Sequence, residues 1–288
     1  MTDRQEVLRV ENLTVRIIDG RKEVVVLHDV SFTVKSGERW GIAGESGAGK
    51  SMTMNAIASL LPRGMVRMSG KILYRLDDGS WFDLMEVPHR ERHRFVSERV
   101  AVIFQDSIHA LNPHERILKQ WGDTVALHHP ELCEEERTTH VLAQMEVFGI
   151  RGGLETLHCY PSQLSGGMKQ RIAIAMALES QVRIGSDGEN GCSGIIIADE
   201  PTTSLDSVTQ RNVVNYIRDV CDAGGKTLLY VSHNLGILQY LCDKLMVFKD
   251  GSIVEQGEAD ELFFRAKHPY TKQIIRETMA VMGAEVTA

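Results

Sequence analysis

An octapeptide near the start of the chain, GESGAGKS at residues 44–51, has residue types and spacing that suit phosphate chemistry. It matches the pattern G-x-x-x-x-G-K-[ST] at every fixed position. The glycines let the backbone wrap phosphate groups with its N–H groups pointing inward, Lys50 reaches the β- and γ-phosphates, and the Ser51 hydroxyl is a hard oxygen ligand for Mg²⁺. The nucleotide-binding residues predicted in this segment are Gly44, Glu45, Ser46, Gly47, Ala48, Gly49, Lys50, Ser51 and Met52.

Two carboxylates, Asp199 and Glu200, end a continuously apolar run at residues 195–198. Asp199 is predicted to face the Mg²⁺, and Glu200 is predicted to polarise the water that attacks the γ-phosphate. Taken alone, such a pair would more often be solvated surface acids. The complete phosphate-binding segment makes the catalytic interpretation the better one, with Lys50 and Glu200 as catalytic candidates.

Two more polar residues, Gln105 and His233, follow apolar runs at residues 100–104 and 227–231. Ligands of open α/β sheets bind at the carboxyl ends of the parallel strands. Each residue alone is weak evidence, but their order relative to the other segments places both at the predicted site.

The apolar runs that must position these residues predict the fold class. Short continuous runs indicate parallel strands buried on both faces, and they span residues 40–43, 100–104, 195–198 and 227–231. Helical periodicity at 54–61 and 168–176 lies between them, so an α/β parallel sheet is predicted. Alternating apolar residues within 7–34 and at 71–76 indicate an antiparallel layer at the start of the domain.

The rest of the chain is predicted to fold around this sheet. Residues from about 106 to 182 are mostly helical and polar, which indicates an inserted helical subdomain. Residues 185–191 indicate a loop that projects from the surface. One more helix is predicted after residue 256, with Pro269 near its start. The predicted division is one domain over 1–255 and a C-terminal extension over 256–288.

Composition narrows the classes of function. The net charge of −7 argues weakly against a nucleic-acid surface. Five cysteines without CxxC spacing indicate reduced thiols, and a zinc or iron–sulfur site is not expected from them. No secretory signal is visible, and the apolar runs are far shorter than the ~20 residues of a membrane span. Membrane association is therefore expected through a partner. His89 and His93 are expected on a solvated helix face, and His128 and His129 in a loop.

The segment LSGGMKQR at residues 164–171 resembles the signature of ATP-binding-cassette (ABC) ATPases, and the resemblance covers nearly the whole chain. It is also a helix N-cap, Ser165, followed by a flexible glycine pair. The resemblance implies a P-loop NTPase (RecA-like) core with an N-terminal antiparallel β subdomain, a helical subdomain and a short C-terminal extension. It implies ATP and Mg²⁺ as cofactors. It also implies a head-to-tail dimer, in which Ser165, Gly166 and Gly167 complete the ATP site of the opposite subunit.

The same resemblance assigns roles to single residues. Gln105 is the residue that senses the metal and couples to a membrane partner, and Asp206 belongs to the D-loop. Glu200 is the general base, and His233 contacts the γ-phosphate. The implied Mg²⁺ ligands are Ser51, Gln105 and Asp199.

Finer motifs resemble one branch, the dipeptide, oligopeptide and nickel uptake ATPases. They lie at residues 103–106, 110–113, 160–164, 198–203 and 268–271 (His-Pro-Tyr-Thr). This implies the ATP-hydrolysing subunit of an importer of peptides, nickel or metal chelates, lying peripherally on the cytoplasmic face of the bacterial inner membrane. The implied partners are integral membrane permease subunits, docked near 106–118, and a second ABC ATPase, identical or homologous. A periplasmic or lipoprotein substrate-binding protein takes part indirectly, and no nucleic acid is expected.

Two departures from the family pattern leave questions open. The stretch 21–26 has no aromatic residue to stack on adenine, so the base contact falls to Val24 and Val25 or to Arg21. No cysteine follows Cys242, so no iron–sulfur cluster is predicted. A soluble cassette protein acting in DNA repair or on ribosomes, a small-molecule kinase and an exporter subunit are the alternatives. The signature argues against the kinase, and the cargo itself stays open.

Overall fold

Strands dominate the first part of the chain, four helices follow one another in the middle, and strands and helices mix again after residue 194. The computed structural model describes residues 4–20, 22–62, 64–105, 110–179, 194–203, 205 and 207–281 of the 288. The strands are β1 (Glu6–Asp19), β2 (Lys22–Lys35), β3 (Arg39–Ala43), β4 (Val66–Arg75), β5 (Trp81–Asp83), β6 (Val100–Ile103), β7 (Ile195–Asp199), β8 (Thr227–Val231), β9 (Lys244–Lys249) and β10 (Ser252–Glu258). The helices are α1 (Lys50–Ile57), α2 (His89–Arg99), α3 (Ile117–His128), α4 (Glu134–Val147), α5 (Gly153–Leu157), α6 (Gly166–Glu179), α7 (Ser207–Gly224), α8 (Leu235–Leu241), α9 (Ala259–Arg265) and α10 (Pro269–Val281). The 3₁₀ turn Pro161–Gln163 precedes α6.

The chain divides into two compact units. The first contains residues 1–100, 190–199 and 225–288, and the second contains 101–189 and 200–224. Residues 185–191, predicted to form a projecting loop, lie outside the described residues. The predicted domain limits at 106, 182 and 255 stay predictions.

An antiparallel sheet in the first unit confirms the predicted N-terminal layer. Its strand order is β2-β1-β4-β5. Alternate residues of β1 face the core because successive strand side chains point to opposite faces. Leu8 and Val10 precede a register shift, Leu13 and Val15 follow it, and all four are at most 1% exposed. β1 and β2 form a hairpin whose last pair is Asp19 with Lys22.

A second sheet of the first unit contains three of the four predicted parallel strands, at residues 40–43, 195–198 and 227–231. Five of its strands follow the order β10-β9-β3-β8-β7. β3 is parallel to both β8 and β9, and β7 is parallel to β8. Every residue of β8 is buried, as expected for a strand covered on both faces. β9 and β10 were not identified in the sequence, although residues 245–248 of β9 are all buried.

Helix boundaries differ from the sequence prediction in two places. Helix α1 ends at Ile57, so Leu61 lies beyond it. The segment after residue 256 holds two helices where one was predicted. Pro269 starts a new helix, and the residue before a proline is disfavoured in helical conformation, which separates α9 from α10.

The second unit is largely helical and has its own core. Fully buried side chains from α3, α4 and α5 form much of that core: Ile117, Trp121, Val125, Val141 and Leu157. No helix within the described residues has both the length and the apolar character of a membrane span.

Candidate nucleotide-binding site

Three predicted site segments emerge from one edge of the parallel sheet in the first unit. In the strand register Val231 pairs with both Ile42 and Asp199, so β3, β8 and β7 end side by side. The phosphate-binding segment follows β3, Asp199 is the last residue of β7, and His233 is two residues beyond β8. His233 is exposed. The structure thus brings together, at the carboxyl ends of parallel strands, three parts that are far apart in sequence.

The glycines of the phosphate-binding loop are required by the chain's own backbone and packing. Gly44, Gly47 and Gly49 have φ values of 142°, 81° and 100°, which residues with a Cβ rarely adopt. A Cβ on Gly44 would lie 2.3 Å from the Phe248 carbonyl oxygen, and one on Gly49 would lie 2.6 Å from Leu27. The loop therefore presses against β2 and β9 where a side chain would not fit.

Lys50, the first residue of α1, folds back across this loop. Its Nζ donates hydrogen bonds of 2.8 Å to the carbonyl oxygens of Gly44 and of Glu45. Only 5% of the residue is exposed. The following Ser51 is exposed, and Met52 is half-buried. An ammonium held beside a glycine-rich loop at the start of a helix suits an anionic ligand.

The C-terminal His-Pro-Tyr segment holds the phosphate-binding loop in place. The Glu45 backbone N–H donates to the Tyr270 hydroxyl oxygen at 3.0 Å. Pro269 occupies the first position of α10, and the N–H of Tyr270 donates to His268 Nδ1 at 3.2 Å, which caps that helix. The sequence marked this segment only as a family resemblance. Its contact with residue 45 could not be read from spacing.

Glu255 on β10 anchors the chain just before α10. Its two carboxylate oxygens accept hydrogen bonds from the backbone N–H groups of Lys267 at 2.7 Å and His268 at 3.1 Å. Burial acts to raise the pKa of Glu255, but these hydrogen bonds and the neighbouring Thr271 hydroxyl outweigh it, and the pKa is lowered. The carboxylate is therefore the form that fixes the start of α10.

In the second unit, Gln105 and Glu200 meet. The Gln105 amide Nε2 donates to a Glu200 carboxylate oxygen at 3.4 Å. The Thr203 hydroxyl donates to the same oxygen at 3.1 Å. Glu200 has a φ of 46°, a left-handed conformation that is uncommon without glycine and that occurs at functional sites. Neutral donors hold this carboxylate in position, which suits a base that must accept a proton. In the sequence, Thr203 was noted only as part of a family motif and not as a site residue.

The signature segment presents an exposed helix start. The Met168 backbone N–H donates to Ser165 Oγ at 3.3 Å, so Ser165 caps α6 as predicted. Ser165 and Gly166 are exposed, and Gly167 is half-buried. A Cβ on Gly167 would meet no atom within 4 Å. The chain's own packing therefore does not require a glycine at this position.

One buried residue of α6 ties the signature helix to the turn after Glu200. Gln170 is 1% exposed, and its Nε2 donates to the Pro201 carbonyl oxygen at 2.6 Å. In the same turn, Thr202 Oγ1 accepts from the amide of Gln210 on α7. Gln170 lies inside the signature segment, but no sequence pattern showed that it contacts residue 201.

For some predicted site residues, the structure does not test the predicted role. Asp206 and Arg21 lie outside the described residues. Val24 is 55% exposed on β2 and Val25 is half-buried, so the apolar adenine contact stays a prediction. Within the predicted docking surface, residues 106–109 are also outside the described part, and residues 112–114 are exposed.

Comparison with known proteins decides the family. The model of the ABC transporter family matches residues 27–203. This chain belongs to the ABC transporter family. The ABC protein is 32% identical over 286 residues to the dipeptide transport ATP-binding protein DppD of Bacillus subtilis (strain 168), covering 98% of the chain and 80% of DppD. It is 33% identical over 267 residues to the probable D,D-dipeptide transport ATP-binding protein DdpD of Escherichia coli (strain K12), covering 93% and 76%.

A third relative is longer. The ABC protein is 35% identical over 277 residues to the peptidoglycan transport ATP-binding protein YejF of Agrobacterium fabrum, covering 95% of the chain but 47% of YejF. A dimeric, post-hydrolysis structure of the ATP-binding cassette MJ0796 bound to ADP and Pi superposes with a TM-score of 0.72 at 24% identity, covering 88% and 98% of the two chains. The predicted fold class and the resemblance to peptide-uptake ATPases are confirmed.

Proposed function

We propose that this chain is the ATP-hydrolysing subunit of an ABC importer, and that it energises the uptake of peptides through a separate membrane permease. The observation that carries the hydrolytic role is the Glu200 carboxylate, held by neutral donors from Gln105 and Thr203 in an intact cassette. The peptide cargo is inferred from the names of the relatives, which are dipeptide transport proteins. Cargo selectivity is expected to lie in the permease and in a substrate-binding protein outside the membrane.

The phosphate-binding loop and Lys50 bind the triphosphate of ATP. On binding, the Lys50 ammonium exchanges its two carbonyl partners for β- and γ-phosphate oxygens, while the loop N–H groups and the start of α1 attract the negative charge. Residues 44–52 form this part of the site.

Mg²⁺ fits the oxygen donors available here. The exposed Ser51 hydroxyl and Asp199 arise at the same sheet edge, and hard oxygen ligands are what Mg²⁺ prefers. Gln105 is the third proposed ligand. When bound, Mg²⁺ neutralises charge on the β- and γ-phosphates.

Hydrolysis follows from the remaining side chains. Glu200 accepts a proton from a water molecule as the water oxygen attacks the γ-phosphorus. The bond between that phosphorus and the bridging oxygen breaks, which leaves ADP and inorganic phosphate. His233, exposed beyond β8, orients the γ-phosphate and the water.

The second half of each site comes from another subunit. Ser165, Gly166 and Gly167 complete the nucleotide site of the opposite cassette, and Asp206 lies in the D-loop. The open space beside Gly167 supports this role, because the glycine serves no packing need within its own chain. The partner cassette is a second copy or a homologous ATPase.

The transport role is tested by recovering the full chain from native membranes. A tagged chain is purified after gentle solubilisation, and its companions are identified by mass spectrometry. We expect two multi-span permease proteins to be purified with the chain, because the chain is proposed to dock on them at the cytoplasmic face of the membrane. A second cassette ATPase is expected only if the two cassettes differ. Recovery from the soluble fraction alone, without membrane proteins, would overturn the importer assignment and favour a soluble cassette protein.

A further inference from the structure

Three side chains with metal-binding atoms meet inside the second unit, well away in sequence from the residues assigned to ATP. They are His129, His140 and Glu179, and one ligand atom from each lies within 4.8 Å of the others. We propose that these residues bind one divalent transition-metal ion, and that the ion is zinc. Imidazole nitrogen and carboxylate oxygen are ordinary zinc ligands.

The cluster is buried and supplies three protein ligands, so a water molecule would take the fourth position of a tetrahedral zinc ion. The side-chain exposures of His129, His140 and Glu179 are 9%, 17% and 1%. One carboxylate oxygen, Glu179 Oε1, lies 2.6 Å from His140 Nε2 and 3.5 Å from His129 Nε2. The other oxygen, Oε2, faces the indole N–H of Trp121 at 3.5 Å. The two imidazoles therefore converge on a single oxygen.

The partners of His129 direct its Nε2 towards the centre of the cluster. Its Nδ1 lies 3.4 Å from a carboxylate oxygen of Glu131, which favours the tautomer with the proton on Nδ1. Nε2 then offers a lone pair towards Glu179. This nitrogen is buried and makes no hydrogen bond in the structure. A carboxylate that orients a ligating imidazole through its far nitrogen is a recurrent feature of zinc sites.

A proton shared between His140 and Glu179 leaves the Nε2 lone pair of His129 without a hydrogen-bond donor. When His140 donates its Nε2 proton to Glu179, the nearby lone pair of His129 still faces the same carboxylate oxygen. A cation between them serves both imidazoles and the carboxylate at once. For tetrahedral zinc with bonds of about 2.0 Å, ligand atoms stand roughly 3.3 Å apart. The 3.5 Å spacing already matches, and the 2.6 Å spacing needs a small side-chain rotation. The third spacing, between the two imidazole nitrogens, lies within 4.8 Å, and the same rotation must adjust it.

The positions of the ligands indicate what the ion does. His129 directly follows α3, His140 lies within α4, and Glu179 is the last residue of α6. Helix α6 starts at the signature segment. Zinc would therefore fasten the far end of the signature helix to two neighbouring helices. Cysteine spacing and the His89/His93 pair gave no hint of this cluster, and His129 was predicted to lie in a loop, so the cluster was missed.

Metal content of the purified full chain tests the proposal. The protein is stripped with a chelator, incubated with ZnCl₂, dialysed and analysed by inductively coupled plasma mass spectrometry. We expect about one zinc per wild-type chain, and none retained by the double variant His129→Gln/His140→Gln. Cobalt(II) in place of zinc should give the visible absorption of a tetrahedral site in the wild type alone.

Two further variants keep the result decisive. The double variant His89→Gln/His93→Gln removes two histidines spaced i, i+4 on α2, so it controls for adventitious surface binding and should retain the zinc. Glu131→Gln changes an exposed residue that touches no metal, and it should weaken zinc binding about tenfold while the fold is kept. If the wild type retains no zinc, or if the α2 variant loses as much as the cluster variant, the proposal is wrong.

Discussion

The phosphate-binding loop and the signature segment of this ABC protein differ in whether the fold of the chain itself requires their glycines. In the loop, a side chain on Gly44 or Gly49 would collide with atoms 2.3 Å or 2.6 Å away, and both residues have positive φ. In the signature segment, Gly167 is helical and faces open space. The first set is explained by the chain's own fold. Packing within the chain does not explain Gly167, and the proposed contact with a nucleotide of the opposite subunit would.

This difference shows how a binding residue can be recognised without its ligand. A glycine that packing demands says nothing about a partner, because stability alone accounts for it. A glycine at a helix position where alanine would be more stable has a cost of roughly 0.5–1 kcal/mol. The proposed contact with an opposing nucleotide accounts for that cost at Gly167.

The largest expected effect comes from inactivating one half of the proposed ATP site, which combines Glu200 of one subunit with the signature segment of the other. Glu200→Gln should lower ATP turnover by about 10²–10⁴-fold, because the general base is lost, while ATP binding is retained. The exposed Glu261→Gln on α9 is the control and should hydrolyse ATP at the wild-type rate. Normal turnover by Glu200→Gln would refute its role as the base.

Mixing two inactive variants then sharpens the comparison. Gly167→Ala should also be slow, since it spoils the site of the other subunit. A mixed dimer of Glu200→Gln and Gly167→Ala contains one site in which both halves are intact. Mixing the two purified proteins should therefore restore measurable hydrolysis. No restoration in a verified mixed dimer would mean that the signature acts within its own chain.

Alanine substitutions of these glycines should differ by several kcal/mol in their effect on the free energy of unfolding. Gly44→Ala combines backbone strain with a backbone collision, and we expect it to lower the free energy of unfolding by at least about 3 kcal/mol. Gly47→Ala has positive φ but open space, so about 1–2 kcal/mol is expected. Gly167→Ala should be neutral or more stable. Urea unfolding measures all three, and equal losses at residues 44 and 167 would contradict the distinction.

A smaller effect is expected where the tail supports the loop. Tyr270→Phe removes the acceptor of the Glu45 N–H, worth about 1 kcal/mol, so ATP affinity should fall by roughly threefold to tenfold. The rate at saturating ATP should not change, because Tyr270 only positions the loop. Tyr240→Phe, on the exposed surface of α8, is the matched control. Unchanged ATP affinity in Tyr270→Phe would remove the tail from the nucleotide site.

The smallest expected effect depends on pH. The pKa of Glu255 is lowered in the folded state, so its carboxylate stabilises the fold above its ordinary value of 4.5, and this is lost as the pH falls through the lowered pKa. Glu255→Gln should be less stable than the wild type at pH 7, by about 1 kcal/mol or less. The difference should vanish under acid conditions. A gap in unfolding free energy that is constant down to pH 3 would contradict this account.

The sequence predicted the elements of the fold because their signals are local. A strand buried on both faces is continuously apolar, as in β8, and a half-buried strand alternates, as in β1. The phosphate-binding loop was predicted for a similar reason, since its glycines, Lys50 and Ser51 are contiguous. The signal for β9 is equally local and was overlooked, since its four central residues are all apolar and buried.

The contacts that complete the site were not predictable from spacing. The hydrogen bond of Tyr270 to residue 45 spans 225 residues, and that of Gln170 to Pro201 spans 31. The buried cluster around Glu179 joins residues that no linear motif connects. Such pairs are fixed by how helices and strands pack, which a single sequence does not encode in any local repeat.

The bond between Glu45 and Tyr270 also sets an order of events during synthesis. At roughly 5–20 residues per second, the ribosome needs about 10–45 s to add the intervening residues. Throughout that interval the phosphate-binding loop exists without the hydroxyl that later restrains it. A nascent chain therefore acquires this restraint on the loop only after residue 270 has been added, and a product that terminates before residue 270 lacks it.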